Sequence, residues 1–214
     1  MHRLELSMTA RVRADRSFHE RFERTLGEPV HRRQGFVSVY YEPTVAGWPR
    51  DVRLCVQDRV GQPDGYASLS VKRRLRSASP EMLREEVVSM VEVVAEPGPT
   101  DLFTLGPAVQ SMLASWGAAA TVVHRQLRSK WQVPVAGLAL EVSCDSGRWQ
   151  PLSEPDAAVD TASIGIEANL PYDGGHQELE RAGREVRRLA ARLELAEVLA
   201  GPTVDKYEEY SCRR

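Results

Sequence analysis

Four acids and six bases in this chain are of types that together suit phosphate chemistry: Glu5, Glu141, Asp145 and Glu167, with Arg11, Arg53, Lys72, Arg74, His124 and Arg128. Arginine offers planar, paired donors to phosphate oxygens, and lysine a compact charge. Several such cations brought together suit an anion of high charge density, such as a polyphosphate. Carboxylates in the same space would repel that anion unless a hard cation lies between them. Mg²⁺ or Mn²⁺ meets that need, because it is held by one or two carboxylates and by the phosphates themselves. A mixed set of acids and bases is therefore the pattern expected for metal-assisted phosphoryl chemistry. Taken singly, each residue is an ordinary surface charge. Only a shared location makes them a site.

That location is implied by alternation. From Leu4 the even positions Leu4, Leu6, Met8, Ala10 and Val12 are apolar, and the odd ones Glu5, Ser7, Thr9, Arg11 and Arg13 are polar. The split recurs around Arg53, Lys72, Glu141 and Glu167. A strand sends successive side chains to opposite faces, so each residue is assigned a side. Several strands with one ionic face fit a closed sheet with a wet interior, or an open sheet with one solvated face.

The elements expected to carry these faces run in sequence. Strands are expected over 4–13, 35–42, 51–59, 66–75, 121–131, 138–145 and 163–170, with a hairpin turn at 61–65. Phe18, Phe22 and Leu26 mark a short helix ended by Gly27 and Pro29. Ser79-Pro80 precedes Met82, Leu83, Glu86, Val87 and Met90, which reads as a capped helix running into extended structure at 91–94. Another helix is expected over 107–116, and the Pro- and Asp-rich stretch 150–160 reads as a loop. A long helix should start near Gly175, with Leu179, Ala182, Val186, Leu189 and Leu193 on its buried stripe and Gly201-Pro202 ending it. Its other face, Glu178, Arg181, Arg184, Glu185, Arg188 and Arg192, should be solvated.

Composition bounds the function. The chain has 214 residues, 42% hydrophobic and 27% charged, as in an ordinary globular protein. A net charge of −2 argues against a general nucleic-acid binder, without excluding a local basic pocket. Cys55, Cys144 and Cys212 are scattered and odd in number, which argues against a disulfide framework or a zinc site and for a reducing cytoplasmic setting. Polar strand-like sequence begins at once, so no secretory leader is expected, and no apolar run approaches membrane length. We expect one α+β domain over 1–214, built on a large antiparallel sheet.

Order and spacing of these segments resemble the CYTH, or triphosphate tunnel metalloenzyme, superfamily nearly end to end. Tyr40-Tyr41-Glu42-Pro43 resembles that family's tyrosine-rich strand, and Val52-Arg53-Leu54-Cys55 and Leu69-Ser70-Val71-Lys72 its next two. Gln126-Leu127-Arg128-Ser129-Lys130-Trp131 resembles its K-x-R-x-x-W stretch, Glu141 to Gly147 its acidic strand, and Ile166-Glu167 its E-x-E strand. Lys206-Tyr207 falls where the family closes with S-Y. The resemblance implies an eight-stranded antiparallel tunnel with helices packed outside, which binds a triphosphate with Mg²⁺ or Mn²⁺. It implies metal-holding and catalytic roles for Glu5, Glu141, Asp145 and Glu167, and phosphate-binding roles for Arg11, Arg53, Lys72, Arg74, His124, Arg128 and Lys206. The chain departs from the family at its opening motif, E-x-E-x-K, which reads Glu5-Leu6-Ser7-Met8-Thr9. Gly165 also stands at an acid position, and Cys55 and Gln126 at basic ones. With acids lost, one ion is expected rather than two. The expected partner is a small phosphorylated molecule, with homodimerisation open. The resemblance implies hydrolysis of that molecule with the divalent metal, and the alternative is an anion- or nucleotide-binding tunnel without turnover.

Overall fold

The computed structural model describes residues 1–12, 16–48, 52–59, 65–78, 81–95, 104–173 and 175–201. Its strands are β1 (His2–Arg11), β2 (His31–Glu42), β3 (Val52–Arg59), β4 (Tyr66–Ala78), β5 (Glu81–Ala95), β6 (Thr104–Leu105), β7 (Ala119–Val135), β8 (Leu138–Pro151) and β9 (Val159–Pro171). The helices are α1 (Arg16–Leu26), α2 (Pro107–Ser115) and α3 (His176–Arg192). Every pairing is antiparallel, in the order β1-β9-β8-β7-β2-β3-β4-β5. β5 then pairs back onto β1, with Glu5 opposite Arg84 and Leu6 opposite Leu83, and the eight strands close into a barrel. β6 adds a short edge beside β5.

Alternation sorts the strands as the sequence implies, and the apolar faces point outward under the helices. Leu4, Leu6 and Met8 of β1 join Leu140 and Val142 of β8, Ile164 and Ile166 of β9, and Ala182, Val186, Leu189 and Leu193 of α3 in one core. Phe22 of α1, fully buried, closes the same core. A second core joins Val37, Val39, Leu54, Val56, Leu69 and Val123 beneath Leu113 of α2. With both cores outside the sheet, the polar faces are left to line the interior.

Several elements differ from expectation. Residues 82–90, expected as a helix, belong to β5, a strand of 15 residues. Met82, Leu83, Glu86, Val87 and Met90 satisfy helical spacing, but Val87, Val88, Val91, Val93 and Val94 make the segment β-branched, which suits a strand. β4 and β1 each also need a partner on this side for the barrel to close. Residues 150–160 hold only a short 3₁₀ turn (Pro155–Ala157) between the extended ends of β8 and β9. α3 ends at Arg192, well before Gly201. There Glu194 adopts a φ of 56°, and the Leu195 N–H donates to the Ala190 carbonyl at 2.8 Å, so the turn itself satisfies the helix end. Glu185, expected on the solvated face, is buried and paired with Arg188 at 2.7 Å. No described helix is long and apolar enough to cross a membrane.

Candidate functional site

The barrel encloses a cavity of about 340 Å³ lined almost wholly by polar side chains. Its described lining includes the cations Arg3, Arg59, Lys72, Arg84, Arg128 and Lys130 and the carboxylates Glu5, Glu86, Glu141 and Glu167. The size is at the low end for a small-molecule site.

One wall carries an alternating row of charges. Arg84 donates from Nη1 to Glu5 Oε1 at 2.7 Å, and Lys72 Nζ donates to Glu5 Oε2 at 3.0 Å. Lys72 Nζ also lies 3.1 Å from Glu86 Oε1, and Arg3 Nε donates to Glu86 Oε2 at 2.6 Å. Strand register builds this row, since Glu5 is opposite Arg84, Arg3 opposite Glu86, and Lys72 opposite Glu86. Burial pushes the Glu5 carboxyl upward, but Lys72, Arg84 and Arg3 more than offset it and hold it well below the usual carboxylate range. Burial likewise works against the Lys72 ammonium, yet Glu5 and Glu86 hold its titration above the ordinary lysine range.

The other carboxylates have separate surroundings. Asp145 accepts a fork from Arg128, from Nε at 2.8 Å and from Nη2 at 3.0 Å. Glu141 pairs with Lys130 at 2.7 Å. Glu167 faces Glu141 directly across β8 and β9 and makes no ion pair among the described residues. Burial, then the Glu5 charge, raises its titration above the usual 4.5, against the pull of Arg128 and Lys72. At the other rim, burial and then Lys130 and Arg59 hold the His31 imidazole below its usual range.

His124 lies toward one end of the lumen. Its ring stacks on Trp149 at 4.0 Å and 7°, and Trp149 meets Tyr40 at 5.2 Å. Both His124 and Trp149 are buried. Behind them is a separate cavity of about 20 Å³ bounded by His124, Asp145, Gly147, Trp149 and Ser163. Gly147 is required here, because a Cβ would stand 2.6 Å from the Arg125 carbonyl and 2.7 Å from His124 Nε2.

Of the residues expected from sequence, Glu5, Lys72, His124, Arg128, Glu141 and Glu167 line the main cavity. Asp145 lies just behind it on Arg128. Arg11 is exposed in an outer groove with Arg125 and Arg148, away from the tunnel lining. Arg74 follows Lys72 on the same strand face, beside a register shift, and is not among the lining residues. Arg53 sits opposite Lys72 in the β3–β4 register, but its side chain lies outside the described residues, as do Lys206, Tyr207 and Cys212.

Sequence reasoning missed Arg3, Arg59, Lys130, Arg84 and Glu86. Extending the same parity would have found the first three, since they share faces with Glu5, Cys55 and Arg128. The last two were hidden by the helical reading of β5.

The expected metal set of Glu5, Glu141, Asp145 and Glu167 is not gathered. Among the described residues, no three His, Cys, Asp or Glu side chains stand close enough to share an ion. Glu5, Glu141 and Asp145 are each engaged by cations. Among the described residues the four acids therefore do not form one ready-made ligand cluster.

Sequence comparison finds no matching family and no matching curated protein. Comparison of structures does find relatives. The PH1819 protein of Pyrococcus horikoshii superposes with a TM-score of 0.62 and 14% identity, over 98% of this chain and 99% of that one. HpAC1 of Hippeastrum, an adenylyl cyclase candidate with a dominant triphosphatase activity, superposes with a TM-score of 0.59 and 12% identity, over 98% and 96%. A chain of the Schizosaccharomyces pombe Mediator head module superposes with a TM-score of 0.52 and 10% identity, over 94% and 98%. The chain thus has the same closed-barrel fold as these proteins. Proteins of different roles share it, so the fold alone assigns no activity.

Proposed function

We propose that this protein binds a triphosphate- or polyphosphate-bearing small molecule inside the barrel. The carrying observation is the convergence of Arg3, Arg59, Lys72, Arg84, Arg128 and Lys130 on one enclosed cavity. Six cations outnumber the four carboxylates beside them, which favours an anion in the lumen. His124 and Trp149 stack toward one end of the lumen and Arg59 and Lys130 lie toward the other, which supports entry of the ligand at the cationic end.

Hydrolysis of that ligand with a divalent ion is a second reading. It is supported by the in-register Glu141–Glu167 pair, two like charges face to face, and by the triphosphatase activity of HpAC1. One experiment tests both. Phosphate release is measured from tripolyphosphate, ATP and thiamine triphosphate with Mg²⁺ and with Mn²⁺, alongside the melting temperature. Stabilisation without release leaves binding as the function. Release that is lost in Glu167→Gln supports hydrolysis. Absence of both stabilisation and release refutes the tunnel as a phosphate site.

A further inference from the structure

The charge row on β1, β4 and β5 bears on how the anion is held. Glu5, with 1% exposure, has both oxygens occupied, one by Arg84 and one by Lys72. Glu86, with 3% exposure, has one oxygen on Lys72 and the other on Arg3. A divalent ion at Glu5 would have to compete for oxygens that Lys72 and Arg84 already hold, and displacing Arg84 breaks a pair whose side chains keep only 12% and 2% exposure. Breaking a buried pair in this way is strongly unfavourable.

The neighbouring inward positions offer no replacement acid. Ser7 is fully buried and its hydroxyl has no partner. Gly165 has no spare room, because a Cβ there would already touch the Ser143 and Thr9 hydroxyls at 3.3 Å each.

An arriving phosphate meets the opposite situation. An ammonium has three N–H donors. Glu5 and Glu86 take two from Lys72, whose side chain keeps 31% exposure in the lumen. The carboxylates fix Lys72 in place and leave a donor for the ligand.

We infer that the tunnel takes its phosphate ligand on side-chain cations alone, with Lys72 and Arg84 carrying the charge beside Glu5, so that binding needs no Mg²⁺ or Mn²⁺. This rests on the proposed binding of phosphate in the tunnel, and extends it to the chemistry that holds the anion.

Calorimetric titration with inorganic tripolyphosphate, in EDTA and then with excess Mg²⁺, tests the inference. Binding in EDTA at least as tight as with Mg²⁺ is expected, since Mg²⁺ also neutralises the free ligand. Glu5→Gln is the second arm. Removing a carboxylate charge several ångströms from the phosphate should tighten binding in EDTA by about tenfold, the order Coulomb's law gives between the protein and water dielectric limits. If Glu5 were instead a metal ligand, the same variant would weaken binding. Binding seen only with Mg²⁺, or weakened in a folded Glu5→Gln protein, overturns the inference and leaves the tunnel as a phosphate site. No binding under either condition overturns both. Should Glu5→Gln fail to fold, the EDTA comparison on the unaltered protein still decides.

Discussion

Cutting the Arg128–Asp145 fork tests how the tunnel stores its charge. Asp145→Ala removes two acceptors, at 2.8 and 3.0 Å, from a guanidinium that keeps 23% exposure. Losing one partner of a fully buried pair costs about 3–5 kcal/mol. The access of Arg128 to lumen water reduces this to about 2–3 kcal/mol. In a chain of this length each kcal/mol moves Tm by about 2–4 °C, so Tm should fall by about 4–12 °C. The loss should also be partly reversible by ligand. With its carboxylate gone, Arg128 gains more from tripolyphosphate, and the Tm increment at saturating tripolyphosphate should exceed that of the parent. Differential scanning calorimetry with and without tripolyphosphate reads both quantities. Asp145→Asn, which keeps an acceptor and the shape, should fall between parent and alanine variant. A Tm drop below about 1 °C, or a smaller ligand increment in Asp145→Ala than in the parent, refutes this account of the fork.

Two more outcomes are expected. Gly147→Ala should destabilise by about 1–3 kcal/mol in urea unfolding, because the Arg125 carbonyl it meets is backbone; the displaced His124–Trp149 stack should change the tryptophan emission, and an unchanged spectrum would place the ring elsewhere. Glu167→Gln should stabilise the protein at neutral pH, because a carboxyl whose titration is raised on folding costs stability only above its unfolded value. That gain should vanish as pH falls below about 4.5, and a gain that grows toward acid would reverse the assigned direction.

Much of the tunnel was legible because a strand's parity is local. Glu5 against Leu4 and Leu6, and Lys72 against Val71, depend only on the next residue. The same rule extends to Arg59 and Lys130, inside expected strands, and to Arg3, one residue before the first. β5 was illegible for a physical reason: Met82, Glu86 and Met90 repeat at a spacing of four, which fits one face of a helix and also every second place on one face of a strand. Pairing with β1 and β4, distant in sequence, decides between them, and so Arg84 and Glu86 came only with the structure. The partners of the acids were hidden for a similar reason. Alternation implies that carboxylates and cations share a face, but the β1–β5 and β7–β8 registers set Glu5 on Arg84 and Asp145 on Arg128 instead of around one ion.

The strand order also constrains how the chain comes to be folded. β1 is made first, yet its two neighbours are β5 and β9, and Arg3 finds its β9 partner at Pro171. During synthesis the first strand therefore waits with an open edge while hairpins β3–β4, β4–β5 and β7–β8 form from adjacent sequence. Closure is delayed until β9 has left the ribosome, and a nascent or truncated chain ending before β9 carries two unpaired strand edges, β1 and β8. Such edges are templates for aggregation. The enclosed cavity that would hold the ligand thus comes into being only once β9 has been made.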